Sequence, residues 1–205
     1  LGDVYKRQVD EVADLLRPRV EYLLEFSSQT PVPIGNAYLT PETLGRDRLA
    51  AAVGATVLYP GRNVLIVDFG TAVTIDLVTA DNTFRGGCIS PGMKTRFRAL
   101  HDYTACLPLC GPTESGELQG LTTEEAIRLG VMNSLTFEIE GYMARMEKKI
   151  DDLCVIFTGG DAKYFAKRIK NTIFANCNLV FCGLDRILEY NASEELSLIH
   201  ISEPT

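Results

Sequence analysis

The clearest hydrophobic pattern lies in the middle of the chain. Residues 64–67 form an unbroken apolar run, which indicates a buried strand, and Asp68 follows directly after it. Gly70 lies in the next turn, and residues 72–78 have the composition of a returning strand. A third strand is predicted over residues 84–89. The pattern therefore predicts a β-hairpin followed by one further strand.

Apolar residues at helical spacing dominate the rest of the chain. Helices are predicted over residues 9–26, 43–55, 93–101, 122–150, 161–170 and 184–190, strands over 154–158 and 178–181, and loops over 31–41 and 107–121. Pro18 is expected to kink or split the first helix, and Thr40 is a candidate N-cap of the second. Thr122 and Glu125 have the spacing of a capping box, which marks the start of the longest helix. Because helices and strands alternate after the hairpin, the pattern predicts an α/β fold.

The two ends of the chain are related at the level of their codons. Leu1–Gln8 reads LGDVYKRQ, and Leu196–Glu203 reads LSLIHISE. One DNA sequence encodes the first segment, and its reverse complement encodes the second at all eight codons. This relation is typical of a translated sequencing adapter. Residues 1–8 and 196–205 are therefore expected to be non-native and to carry no information on fold or function.

Composition narrows the classes of function. The chain carries 27 acidic and 20 basic residues, a net charge of −7, and no basic run, which argues against nucleic-acid binding through bulk charge. No apolar run is long enough to span a membrane, and no signal peptide is visible. The six cysteines form no CxxC motif, which favours buried, reduced thiols. We therefore expect a cytoplasmic protein with neither nucleic acid nor membrane as a partner.

The turn between the first two predicted strands has the residues of a phosphate site. Asp68 stands at the end of a strand, and Gly70 and Thr71 lie in the turn. A carboxylate at this position can hold a cation next to phosphates. The backbone N–H groups and the Thr hydroxyl can donate to phosphate oxygens. An ordinary hairpin with a solvated Asp remains the alternative for this motif taken alone.

Further motifs favour the phosphate site. They are GRDR at residues 45–48, GGCISPGM at 86–93, TACLP at 104–108, TTEEA at 122–126 and TGGDA at 158–162. Together with the DFGTA hairpin, and in this order, they resemble the type III pantothenate kinases. The resemblance covers nearly all of residues 9–195. It implies an α/β fold of the actin-like, ribonuclease H-like ATPase superfamily, which includes acetate and sugar kinases, Hsp70 and actin.

The resemblance implies a reaction and its participants. The reaction is the ATP-dependent phosphorylation of pantothenate to 4'-phosphopantothenate, the first step of coenzyme A biosynthesis. It implies Mg²⁺ and a monovalent cation, K⁺ or NH₄⁺, as cofactors. It implies Asp47 as the general base that accepts the proton of the substrate hydroxyl. The other implied site residues are Tyr38, Gly45, Arg46, Arg48 and Thr123 for substrate, Gly70, Thr71, Gly159 and Gly160 for ATP, and Asp68 for the monovalent cation.

Several of these residues have a structural alternative. Asp47 can pair with a neighbouring Arg on a helix surface, and Tyr38 can be a loop aromatic packed on the core. Thr123 can be a second capping residue beside Thr122. Gly159 and Gly160 can form a compact strand-to-helix turn without any ligand.

The family's first phosphate loop, of the type DxGNT, has no match before Leu44. Residues 9–60 are therefore expected to be the remnant of a first actin-like domain and residues 61–195 a second one, with the break at Pro60-Gly61 between them. A fragment without one phosphate clamp and a magnesium ligand is expected to be inactive. Another small-molecule kinase of the superfamily, and a non-catalytic transcriptional-activator accessory protein on the same fold, are the alternative functions.

The longest predicted helix carries an unusually broad apolar stripe. Its apolar residues are Ala126, Leu129, Val131, Met132, Leu135, Phe137, Ile139, Tyr142, Met143 and Met146. The stripe is wider than one core-facing side of a helix needs, which favours burial against a second chain. A central helix buried all round in its own domain is the alternative. Since the resemblance places Thr123 in the pocket of a partner subunit, we expect a homodimer with shared active sites.

Overall fold

The computed structural model describes residues 2–169, 173–176 and 178–201, with side chains within 9–169, 175–176 and 178–193. Within these ranges six strands form one sheet in the order β1-β4-β3-β2-β5-β6. The strands are β1 Gly35–Asn36, β2 Asn63–Phe69, β3 Ala72–Thr79, β4 Thr83–Pro91, β5 Leu153–Thr158 and β6 Ile173–Ala175. The helices are α1 Gly2–Leu16, α2 Arg46–Leu58, α3 Met93–Asp102, α4 Thr123–Glu147, α5 Ala162–Ala166 and α6 Leu179–Ile201. The α/β class predicted from the sequence is confirmed.

The predicted hairpin and third strand form the centre of this sheet. β2 and β3 are antiparallel, with Phe69 opposite Val73, so that Gly70 and Thr71 alone connect them. The N–H of Gly70 closes this turn by donating to the carbonyl of Ala72 at 3.0 Å. β3 and β4 are also antiparallel, whereas β5 lies parallel to β2 on its other side. The ends of β2 and β5 therefore meet at the same edge of the sheet.

Alternate residues of β2 face two separate apolar layers. Leu65, Val67 and Phe69 pack in a core cluster with α3, α4 and α5. Val64 and Ile66 pack in a second cluster with α2 and the start of α6. Because strand side chains alternate between faces, α2 and α4 lie on opposite sides of the sheet.

α4 begins as the sequence predicts. The Thr122 hydroxyl accepts from the N–H of Glu125 at 3.2 Å, and the Glu125 carboxylate accepts from the N–H of Thr122 at 3.2 Å. This is a complete capping box, which satisfies N–H groups that have no partner inside the helix. The loop predicted over residues 107–121 is also confirmed.

The first two helices differ from the prediction. α1 ends at Leu16, and Pro18 lies in a short 3₁₀ turn that follows it, so the split at Pro18 is confirmed but a helix reaching residue 26 is wrong. α2 begins at Arg46 with Gly45 as its N-cap, and not at residue 43. Thr40 precedes a separate 3₁₀ turn, Pro41–Thr43, and the extended backbone of Leu44 divides that turn from α2.

The last elements also differ from the prediction. The strand predicted over residues 178–181 is wrong, because α6 begins at Leu179 and its buried Leu179 and Ile187 pack towards α2. The strand beside β5 is β6 instead, which the hydrophobic pattern did not reveal. The helix predicted over residues 161–170 is the shorter α5, and Lys170 lies outside the described residues.

Two expectations from composition can be compared with the fold. Among the described residues, no helix is both long and apolar enough to cross a membrane. Cys110 and Cys154 are buried free thiols and Cys182 is half-buried, whereas Cys88 and Cys106 are exposed, so the expectation of buried thiols is wrong for these two. Cys177 lies outside the described residues. The division into two domains at residue 60 stays a prediction; β1, from the first part, pairs with β4 of the second.

Candidate active site

Three carboxylates lie where the first turn of α2 approaches β2 and β3. Asp47 is exposed, Asp68 is half-buried at the end of β2, and Asp76 is buried in β3. Burial raises the pKa of the Asp68 carboxyl, and the negative charges of Asp47 and Asp76 raise it further. The Asp68 carboxylate makes no hydrogen bond or ion pair with the rest of the described chain. A half-buried carboxylate without a partner suits a bound cation, as the sequence predicts for this residue.

Arg48 extends from α2 into the interior between these acids. Its Nε lies 3.2 Å and 3.0 Å from the two carboxylate oxygens of Asp76, and its Nη2 lies 2.5 Å from Oδ1. The ring centroids of Tyr38 and Phe84 lie 5.6 Å and 5.8 Å from the guanidinium carbon. The sequence predicts that Arg48 binds substrate. In the structure, two of its three side-chain nitrogens donate to Asp76 instead.

The other residues of the predicted substrate segment surround the start of α2. Gly45 is the N-cap, and the half-buried Arg46 donates from Nη1 to the carbonyl of Leu44 at 2.6 Å. One oxygen of Asp47 accepts from the N–H of Arg48 at 2.9 Å. The remaining oxygen of Asp47 has no partner among the described residues. The structure therefore gathers Tyr38, Asp47 and Arg48 at one end of α2.

A cleft of about 480 Å³ opens beside Asp68. It is lined by Phe69, Gly70, Thr71, Lys94, Thr95, Arg98, Gly160 and Asp161. The cleft brings together the two predicted ATP-binding turns, the hairpin turn and the turn after β5. Gly159, at φ +89°, brings the second turn against the first: a Cβ there would lie 2.3 Å from Oδ1 of Asp68 and 2.6 Å from the backbone of Phe69. Only glycine allows this close approach.

α3 lines this cleft with two basic residues, Lys94 and Arg98, which were not among the site residues predicted from the sequence. Lys94 and Arg98 are exposed and lie one helical turn apart, and the Nζ of Lys94 is 3.2 Å from a carboxylate oxygen of Asp161. The carbonyl of Thr71 accepts from the hydroxyl of Thr95 at 2.6 Å, which fixes α3 against the hairpin turn. Two basic residues four positions apart, directly after the GGCISPGM turn, were the available signal.

Thr123 lies apart from these residues. It is the exposed first residue of α4, next to the capping Thr122. Thr123 and Asp47 lie at the starts of α4 and α2, which pack on opposite faces of the sheet, and no hydrogen bond joins the two side chains in the described part of the chain. No group of three or more acidic, His or Cys side chains in the described part of the chain could hold a metal ion.

Comparison with known proteins gives consistent results. A family model described as type III pantothenate kinase matches residues 2–145. The type III pantothenate kinase of Christiangramia forsetii is 44% identical over 172 residues, which are 84% of this chain and 71% of that protein. The enzyme of the same name from Phocaeicola vulgatus is 47% identical over 82% of this chain and 70% of its own length.

A solved structure shares the fold. It is a protein described as a Baf family transcriptional activator, from Campylobacter jejuni, with a TM-score of 0.56 and 23% sequence identity over 78% of this chain and 69% of its own. At that identity the likeness concerns the fold alone. The family match and the sequence relatives confirm the resemblance drawn from the motifs, and with it the actin-like fold class. On the match over residues 2–145 and on these identities, the chain belongs to the type III pantothenate kinase family.

Proposed function

We propose that this protein transfers the γ-phosphoryl group of ATP to the primary hydroxyl of pantothenate and so forms 4'-phosphopantothenate for coenzyme A biosynthesis. The observation that carries the proposal is the cleft in which Gly70, Thr71 and Gly160 meet the basic residues of α3, beside Asp68 and the start of α2. Phosphoryl transfer depends mainly on positioning and electrostatic stabilisation, and this cleft provides donors and positive charge for both.

The roles that the family resemblance implies for the site residues are supported by their surroundings. The backbone at Gly70, Gly159 and Gly160, with the Thr71 hydroxyl, holds the nucleotide, because these turns leave room for close approach of phosphate and nucleoside. Asp68 holds the monovalent cation, since its carboxylate is half-buried without a partner. Magnesium bound with ATP would neutralise charge on the phosphates.

Asp47 is the general base of the proposed reaction. It is exposed at the start of α2, and its free oxygen can accept the proton of the pantothenate hydroxyl. Tyr38, Gly45 and Arg46 border the same end of the helix and complete the substrate side. Thr123 completes the pantothenate pocket of a partner subunit in a cytoplasmic homodimer. Its position on the opposite face of the sheet from Asp47 favours a contribution across chains.

The direct test is an assay of the full-length enzyme with ATP, Mg²⁺ and a panel of acceptors. Mass spectrometry should detect 4'-phosphopantothenate, while sugars and acetate remain unmodified. Asp47→Asn should lower kcat by about two to four orders of magnitude, as expected for loss of a general base, and leave ATP affinity unchanged. Asp151→Asn, at an exposed position, is the control and should behave as wild type. Turnover of another acceptor in place of pantothenate would identify a different kinase. Near wild-type turnover by Asp47→Asn would show that the base is another residue.

A further inference from the structure

We infer that the buried Arg48–Asp76 ion pair is a positioning device for Asp47, so that Arg48 acts through α2 and not as a ligand of the substrate. This inference rests on the proposed function for its kinetic part only. It differs from the role that the sequence resemblance implies for Arg48, and it gives Asp76 a role.

The Arg48–Asp76 pair is buried. The side chains of Arg48 and Asp76 are 6% and 2% exposed, and three hydrogen bonds join them. The rings of Tyr38 and Phe84 lie close to the guanidinium. Removing two charges from water is costly, and such a pair contributes little net stability compared with apolar residues of the same volume. A planar fork bound to a carboxylate does, however, fix the relative geometry of two elements.

The sheet leaves space for the pair at Gly87. Gly87 of β4 lies opposite Asp76 of β3. A Cβ at Gly87 would lie 2.2 Å from Oδ1 of Asp76 and 2.1 Å from the carbonyl oxygen of Ile75. The neighbouring strand is therefore shaped to admit the Asp76 carboxylate in the orientation that meets Arg48.

The pair connects α2 to β3. Asp76 lies opposite Ile66 on β2, the strand that ends at Asp68 and the phosphate turn. Arg48 is the next residue after Asp47. The N-cap Gly45 has no side chain, so no capping side chain fixes the first turn of α2. The Arg48 side chain provides that fixation from the inside, and it sets where Asp47 stands relative to Asp68. Small displacements of a reacting group cost much of the rate, because proximity and orientation supply a large part of catalysis.

The test compares Arg48→Lys, Asp76→Asn and the double variant in the full-length enzyme. Lysine keeps the charge but loses the fork. We expect each single variant to lower kcat by about ten- to a hundredfold with little change in KM for pantothenate. We expect the double variant to be no worse than the more affected single one, because both remove the same interaction. Arg85→Lys and Asp81→Asn, in an exposed pair at 2.9 Å, are the matched controls and should keep wild-type kcat.

A readout without activity separates this inference from the proposed function. The N–H of Leu49 donates to the carbonyl of Gly45 at 3.2 Å in the first turn of α2. Its hydrogen exchange should become faster in Arg48→Lys and in Asp76→Asn, and stay unchanged in the two control variants. This holds even if the wild type fails to phosphorylate pantothenate, which would refute the proposed function alone.

The inference is overturned if Arg48→Lys retains wild-type kcat and wild-type hydrogen exchange at Leu49. It is also overturned if Arg48→Lys raises KM for pantothenate more than tenfold while Asp76→Asn leaves it unchanged, because Arg48 would then contact the substrate. Should Asp76→Asn not fold, Arg48→Lys alone decides.

Discussion

At the scale of single residues, Asp68 is the clearest conflict between stability and function. Its carboxylate is half-buried, has no partner and lies near two other acids, and all three conditions disfavour its charge in the folded chain. A cation bound at this carboxylate would compensate its charge. The stability of the chain should therefore respond to this residue in the absence of the cation, and to the cation in its presence.

Asp68→Asn should raise the unfolding midpoint at pH 7 in potassium-free buffer. Because the pKa of Asp68 is raised in the folded state, the wild type loses stability as the pH rises from the ordinary Asp value through the raised pKa. The advantage of the variant should therefore vanish in acid, where the carboxyl is protonated in both states. Thermal melts across pH measure this.

The same variant should lose activation by K⁺. Potassium titrations of activity and of the unfolding midpoint should respond in the wild type and stay flat in Asp68→Asn.

Asp81→Asn is the control for the pH dependence of stability, and its effect on stability should have the opposite sign. A hydrogen bond from Thr79 lowers the pKa of Asp81, with a smaller effect of Arg85. Its stability relative to the wild type should fall at neutral pH. An unchanged potassium response in Asp68→Asn would assign the cation to another site.

At the scale of elements, α3 is expected to contribute charge to nucleotide binding. Lys94 and Arg98 line the cleft, and within the described part of the chain their side chains are otherwise engaged only by the ion pairs to Asp161 and Asp102. Lys94→Ala and Arg98→Ala should each raise KM for ATP by roughly tenfold, the loss expected for one charge-assisted hydrogen bond, and leave KM for pantothenate unchanged. Lys148→Ala, exposed at the end of α4, is the control. Unaltered KM for ATP in both cleft variants would place the phosphates elsewhere.

The first turn of α4 separates a structural from a functional threonine. Thr122→Ala removes the capping box and should cost about 1 kcal/mol of unfolding free energy with little effect on kinetics. Thr123→Ala leaves the capping box intact, so it should keep the unfolding midpoint and raise KM for pantothenate. Denaturant melts and kinetics on the pair of variants measure both effects. If Thr123→Ala affects only stability, it is a second capping residue and not a substrate contact.

The elements that the sequence predicted correctly are those with a local signal. β2 and β5 contain apolar runs ended by glycine turns, β3 follows the first of these turns, and the start of α4 is encoded by residues 122 and 125. β1 has only two residues and exists through pairing with β4, so no periodicity reveals it. The start of α6 reads as a strand, and it is helical because its apolar residues meet α2.

The same holds for the candidate site: features with a local sequence signal were visible in the sequence, and those that depend on distant contacts were not. The two glycine turns and Asp68 were visible as motifs, and the cleft joins the turns beside that residue. The partner of Arg48 was not visible, because Asp76 is 28 positions away and its role depends on the register of β3 against β4. The two basic residues of the cleft were missed because two exposed cations on a helix are typical of any solvated surface.

At the scale of the whole molecule, only part of the apolar stripe of α4 is left to be buried by a second chain. Leu135, Ile139 and Met143 are fully buried within the chain itself, which accounts for most of its width. Phe137 remains 55% exposed, and Ile89 of β4 is 63% exposed. β4 and α4 adjoin at this point, where the Ser90 hydroxyl donates to Glu138 at 2.6 Å. The homodimer stays a prediction, and it now rests on this smaller surface.

Two further features favour a second chain on this side of the molecule. An apolar groove of about 630 Å³ runs between α3 and α4. The exposed Ala126, Gly130 and Ser134 form part of its wall on α4. Residues four positions apart are neighbours on one helix face, so these small side chains leave that face of α4 open to a second chain. Phe137→Glu and Ile89→Glu should therefore give monomers in analytical ultracentrifugation, whereas Phe181→Glu, at a still more exposed Phe on α6, should not. Dimers that persist in both variants at this surface would place the interface elsewhere.

Shared active sites would allow two inactive variants to complement each other. If Asp47 of one chain and Thr123 of the other form one site, Asp47→Asn and Thr123→Phe homodimers are both inactive. After subunit exchange, half of the dimers in an equal mixture should be hybrids, and each hybrid has one intact and one doubly altered site. Activity should then recover to about a quarter of the wild type, because an isologous dimer pairs the two altered surfaces in this way. Exchange is followed independently by mass spectrometry of differently tagged chains. Complete exchange without recovery of activity would mean that the two residues do not form one site across the two chains.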